Sequence, residues 1–198
     1  MMKRNVLLRS LSLLALAAGV TPISWAGGAE LAGFGGGITL DGGVGTHGVY
    51  GATAAYRLGD NVHLFGEFSY STLASTAFSN SVSGVTVNGN ASVNLASFGG
   101  GADYSFRSGS KIRPYALGAL GAGHFYGTGS GTGSNGGSAN VSLTLTNAFS
   151  GGVGAGVRFY LGEHFGLKPE VRYVRYQSSV IQANTVVYTV GLFYQFGK

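Results

Sequence analysis

Residues 186–196 read Val-Val-Tyr-Thr-Val-Gly-Leu-Phe-Tyr-Gln-Phe. Side chains of a strand alternate between its two faces. Val186, Tyr188, Val190, Leu192, Tyr194 and Phe196 share one face, which is wholly apolar or aromatic. The opposite face, with Thr189, Phe193 and Gln195, is mixed. The same period recurs along the chain and predicts seven earlier strands. They cover Ala29–Leu40, His47–Leu58, Val62–Leu73, Ala91–Phe106, Ile112–Tyr126, Val141–Leu161 and Phe165–Tyr176. No long helical period appears after residue 26.

The spacing between strands is uneven. Gly59-Asp60-Asn61, Ser108-Gly109-Ser110 and Gly162-Glu163-His164 are short turn signals. Leu73–Asn90 and Gly127–Asn140 are long, uncharged and rich in Gly, Ser, Thr and Asn, which predicts loops. Four strands end on an aromatic-x-apolar pair at one level: Tyr56/Leu58, Tyr104/Phe106, Phe159/Leu161 and Tyr194/Phe196. A membrane barrel has such aromatic girdles at its interfaces, with short turns at one end and longer loops at the other.

Charge follows the same alternation. No Asp, Glu, Lys or Arg occurs between Glu67 and Asp103, nor between Arg113 and Arg158. Mid-strand charges fall opposite the aromatics: Glu67, Asp103, Arg158, Lys168, Glu170 and Arg172. In a soluble sandwich or lipocalin-like barrel this face points to water; in a membrane barrel it points inward. Periodicity alone does not separate the two.

The first residues change the balance. Lys3, Arg4 and Arg9 precede the apolar stretch Leu11–Val20, and Ser24-Trp25-Ala26 is a small-x-small site. That order predicts a cleavable secretory signal over residues 1–26, the apolar stretch being too short to span. Residues 27–198 then form one domain, which the turn asymmetry and girdles make an eight-stranded antiparallel transmembrane β-barrel. Only closed barrels and helices satisfy their backbone in lipid. Loss of the three basic residues brings the formal charge from +5 to +2, and no basic run remains to track nucleic acid. The absence of cysteine excludes disulfides and thiolate metal sites. Many of the 37 glycines lie inside strands, where a tightly curved barrel needs small residues.

Three segments carry a family resemblance: Arg113-Pro114-Tyr115-Ala116-Leu117-Gly118-Ala119-Leu120-Gly121-Ala122-Gly123, Gly166-Leu167-Lys168-Pro169-Glu170-Val171-Arg172-Tyr173 and Val190-Gly191-Leu192-Phe193-Tyr194-Gln195-Phe196-Gly197. The chain resembles the small outer-membrane β-barrel domains of OmpA-type and opacity-type proteins. The resemblance implies a bacterial outer-membrane location and lipid and lipopolysaccharide neighbours. It also implies insertion by the barrel-assembly machinery, with Tyr194 and Phe196 as the assembly signal, although Gly197 and Lys198 follow.

For chemistry the residues argue little. His47, His63, His124 and His164 have no metal-ligand spacing. Gly118-x-x-Gly121-x-Gly123 has no strand–loop–helix setting for phosphate. The lipid A deacylase family carries a His-x-Ser pair near its last strands; here Ser178 and Ser179 follow Tyr176-Gln177, without the base that activates serine. The expectation is a non-catalytic structural or surface-interaction protein with no cofactor, no metal, no nucleic acid and an unidentified extracellular partner. A lipid-modifying enzyme and a narrow channel are the alternatives. Eight strands leave an interior that side chains fill. The inward charges should therefore pair across strands 3, 4, 6 and 7, with Phe65, Phe193 and Gln195 adding bulk. On this pattern, Glu170→Ala should strand a base at a cost of ~3–5 kcal/mol. Cleavage after Ala26 is the first prediction. Intact mass of the mature protein should place Gly27 at its N-terminus, and a mature species that keeps Leu11–Val20 would refute it.

Overall fold

The computed structural model describes residues 28–41, 45–82, 85–106 and 109–197; the proposed signal segment lies outside them. Eight strands run β1 (Ala29–Leu40), β2 (Thr46–Leu58), β3 (Val62–Val82), β4 (Val85–Ser105), β5 (Ile112–Gly133), β6 (Ser138–Tyr160), β7 (Phe165–Gln177) and β8 (Gln182–Phe196). Each pairs antiparallel with the next, and β1 pairs with β8, so the sheet closes into a barrel. The closing ladder runs from Ala29↔Phe196 to Leu40↔Thr185.

The outer surface follows the sequence pattern on six strands. Tyr50, Tyr56, Leu64, Phe68, Phe98, Tyr104, Val153, Phe165, Tyr173, Tyr188, Leu192 and Tyr194 point away from the barrel and stay exposed. Tyr194 packs edge to face on Phe196 with ring centroids 4.8 Å apart at the turn end, and Tyr50 packs on Tyr70 at 5.4 Å near the far rim. β8, with 15 residues, is longer than the ~9–11 that a tilted barrel strand needs to cross a hydrocarbon core.

On β1 and β5 the faces that carry Ile38 and Tyr115 turn inward. Ile38, Tyr115, Leu117 and Phe125 are buried, whereas Leu31, Gly33, Gly35, Ala116 and Leu120 face out. Register sets this choice, because Tyr115 opposes inward Ser105 and Ile38 opposes His47. Lipid accepts glycine and alanine as well as leucine, so these two outer faces need no large side chain.

Glycines give the interior its room. Gly123, Gly154 and Gly156 line one part of the wall, and long side chains from other strands lie across it. A Cβ at Gly154 would stand 2.7 Å from Arg172 Cγ, and one at Gly123 would stand 2.7 Å from the Tyr176 ring. Gly156 accommodates the Tyr115 hydroxyl in the same way. At the turn Gly59-Asp60-Asn61, Gly59 adopts φ 73°, a left-handed conformation that glycine enters without strain.

The two expected long loops are instead paired strand. The β3–β4 ladder continues to Val82↔Val85, β4–β5 to Val87↔Gly133 and β5–β6 to Thr132↔Ser138. The β2–β3 ladder stops at Val49↔Ser71, and β6–β7 starts at Phe149↔Gln177. Four strands therefore project beyond the rim as an open sheet. A bulge at Leu73 on β3 and another at Leu145 on β6 mark where it leaves the barrel. Bulges concentrate at barrel rims because they bend and twist a strand there. The sheet's outer face carries hydroxyls and amides that bond across strands, as Asn94 Nδ2 does to Thr128 Oγ1 at 3.2 Å. Its inner face carries Phe78, Val87, Ala91, Val93, Val141 and Leu143, separated by Gly127, Gly129 and Gly131 on β5. Composition suggested loops because this period-two pattern is written in small residues. The backbone ladder needs no large ones.

Candidate functional site

Two features stand out: the packed charges inside the barrel and the projecting sheet above it. Every second residue of each strand faces the interior, which stacks the inward side chains in levels.

Arg158 is the centre of the level near the turns and is fully buried. Its Nε donates to Glu30 Oε2 at 2.9 Å, and Nη2 donates to Asp103 Oδ2 at 2.8 Å. Nη1 donates to Asp103 Oδ1 at 3.0 Å. The guanidinium fork therefore clamps one carboxylate on each side, the geometry for which arginine is suited. Lys168 Nζ reaches Glu30 Oε1 at 3.4 Å, and His63 Nδ1 donates to Asp103 Oδ1 at 3.0 Å. One turn-level higher, Arg172 donates to Glu67 through Nη1 at 2.9 Å and Nη2 at 2.7 Å, and its Nε donates to Glu170. Tyr115 joins the levels. Its hydroxyl donates to Glu170 Oε2 at 2.6 Å, while Arg158 lies 4.6 Å and Lys168 5.4 Å from its ring centre.

The structure places all six expected interior charges inside the barrel. Arg172 gathers Glu67 and Glu170, while Arg158 holds Asp103; Lys168 meets Glu30. Phe65, Phe193 and Gln195 are buried beside them. Glu30, His63 and Tyr115 complete the set, and sequence reasoning left them out. Glu30 stands near the start of β1, on the face of Phe34 and Ile38. Its register partner Gln195, an inward residue, was the signal that would have placed it. His63 shares the face of Phe65 and Glu67, with Asp103 directly opposite.

Above the charges lies a cavity of about 70 Å³ bordered by Ser69, Ser97, Ser150, Glu67 and Arg172. That volume admits a few water molecules. An apolar cluster covers it toward the rim: Ile38, Val49, Leu73, Leu95, Phe125, Ala148 and Tyr176. Phe125 meets Tyr176 edge to face at 5.6 Å.

Other candidate groups have local roles. Ser178 Oγ accepts from the Ile181 N–H at 3.0 Å and the Val180 N–H at 3.3 Å, which closes the β7–β8 turn. His124 Nδ1 meets Asn147 Oδ1 at 2.6 Å on the outer surface and stacks on Tyr126. Among the described residues no three His, Asp or Glu side chains converge as a metal site.

The sequence family described as outer membrane protein beta-barrel domain matches residues 6–196. No curated protein matches the chain. Several solved structures share its fold. Neisserial surface protein A is 18% identical, with 86% of this chain and 99% of that chain covered and a TM-score of 0.57. The attachment invasion locus protein Ail of Yersinia pestis, in complex with the heparin analogue sucrose octasulfate, is 18% identical over 86% of this chain and 99% of that one, with a TM-score of 0.54. A major outer membrane protein from Thermus thermophilus is 12% identical over 85% and 99%, with a TM-score of 0.50. At these identities the likeness is one of fold.

The pairing corrects the expectation for Glu170. Its removal does not strand Arg172, which keeps both bonds to Glu67. The larger loss belongs to Arg158, whose two carboxylates are almost fully buried. Arg158→Met is expected to destabilise the refolded barrel by ~3–5 kcal/mol, because unpaired buried charge is costly. Glu170→Ala should cost clearly less. Urea midpoints in detergent micelles measure both, and equal losses would refute the assignment.

Proposed function

The chain belongs to the outer membrane protein β-barrel domain family of the bacterial outer membrane, and from that membership we propose a non-catalytic surface-interaction role. In this reading the barrel is a filled anchor and the projecting sheet is the working surface. Barrels of this kind keep short turns in the periplasm and long hairpins outside, so the sheet stands outside the cell. The observation that carries the reading is the contrast between the two ends. The interior charges are paired and covered, whereas the sheet presents ladder edges and apolar side chains to its surroundings.

Lipid and lipopolysaccharide surround the barrel. Ail's complex with a heparin analogue concerns that protein. Here no Lys or Arg occurs between Glu67 and Asp103 or between Arg113 and Arg158, so capture of a polyanion by charge on the sheet has no support. We read residues 1–26 as the export signal and Tyr194 with Phe196 as the groups that the assembly machinery recognises. Their rings pack at 4.8 Å on the closing strand, where truncation would expose the β1–β8 seam.

Two measurements test the proposal. Phe196→Ala should lower the amount of heat-modifiable, folded protein in outer-membrane fractions; wild-type levels would put the signal elsewhere. Purified protein in a planar bilayer should give no stable, large conductance steps, since paired charges and the apolar cluster fill the path. Such steps from the wild type would replace the filled-anchor reading with the channel alternative.

A further inference from the structure

The free edge of β6 has the features of a surface that meets its own copy. From Ser138 to Asn147 this strand is bonded to β5 on one side, while β7 joins it only at Phe149. Val141, Leu143 and Leu145 are 54%, 62% and 50% exposed along it. Natural sheets guard such edges with charge, proline or shortness, because an open ladder recruits another strand. The segment Ser-Ala-Asn-Val-Ser-Leu-Thr-Leu-Thr-Asn has neither charge nor proline.

We infer that the β6 edges of two copies in facing membranes pair antiparallel about Ser142. The inference rests on the outward placement of the sheet proposed above. Three arguments select this partner. The first is register. Centring on Ser142 sets Val141 opposite Leu143 of the second copy and Asn140 opposite Thr144, and it keeps this regular stretch clear of the bulge at Leu145. An antiparallel pair keeps each residue's face, so the two apolar inner faces join and the two polar outer faces join. The β3 edge is a poorer match, with Phe78 as the large apolar residue among Ala74, Thr76 and Asn80 on its inner face.

The second argument is direction. β6 runs from the sheet's tip to the barrel, so two antiparallel β6 strands point their barrels in opposite directions. Copies in one membrane all point the same way, so like edges there could pair only in parallel. The third is charge. Identical surfaces carry identical charges and repel unless they are neutral or internally balanced. The whole projecting sheet lies within the two uncharged stretches, so this repulsion is absent. One such pairing, about five regular residues on each side, is smaller than a standard interface. Many copies per membrane would make contact multivalent and raise its strength without new contacts.

The chain has no cysteine, which makes single-cysteine variants clean probes. With Ser142→Cys, a membrane-impermeant maleimide should label intact cells, and clustered proteoliposomes treated with a mild oxidant such as copper phenanthroline should yield disulfide-linked dimers. Opposed residues stand ~4.5–5.5 Å apart, within the ~4.4–6.8 Å that a disulfide spans. Asn140→Cys and Thr144→Cys should each cross-link about ten-fold less alone, since like positions lie ~13 Å apart, yet pair when mixed. The double change V141K/L143K should abolish clustering, as should V141E/L143E, and mixing the two should restore it. Heat-modifiability checks that each barrel is folded. Equal cross-linking at all three positions, or clustering that survives V141K/L143K, would overturn the pairing. Cells that label without forming dimers would remove the pairing and leave the outward placement standing. Cells that do not label would remove both.

Discussion

In hydrocarbon no water serves a stray backbone N–H or C=O, and each such group costs several kcal/mol. The Ala29↔Phe196 to Leu40↔Thr185 ladder answers that constraint by joining the first strand to the last. Ring closure then fixes everything else. It forces alternate residues into a lumen too narrow for bulk water, and it forces any inward charge to find its counter-charge there. Above the rim the constraint lapses, because water can satisfy an edge. That is where β3 and β6 continue unpaired on their outer sides.

The lumen shows how tightly a narrow ring couples chemistry to shape. Arg158 reaches Glu30 on β1 and Asp103 on β4, while Arg172 reaches Glu67 on β3. These contacts tie strands that the ladder does not make neighbours. They have room because glycine faces them: Gly154 under Arg172, Gly156 under Tyr115 and Gly123 under Tyr176. Large and small residues thus alternate around the wall. The glycine richness is a packing requirement here, and the left-handed φ at Gly59 belongs to a turn.

Much of this could be read in the chain before its coordinates. Period two, turn chemistry and aromatic levels gave the number of strands, the closure and the inward charges. The faces of β1 and β5 were harder, because lipid does not distinguish Gly35 from a leucine strongly enough to mark a side. Glu30 was hidden for a related reason: it shares a face with Ile38, and only its register to Gln195 shows that this face points inward. The projecting sheet was misread as loop because Gly, Ser, Thr and Asn dominate it. Single-residue preferences are weak next to a ladder that each neighbouring strand extends.

The four long strands also have a mechanical meaning. β3 and β6 run without a break from the sheet's tip, through the rim, to the turn end. The two bulges bend them but do not interrupt the ladder. A pull on the tip along the strands therefore does not peel bonds one at a time. It loads the rungs of each ladder together, in shear, and passes the force down to a ring that is itself closed. Force on the tip therefore ends in a ring with no free end from which to unravel.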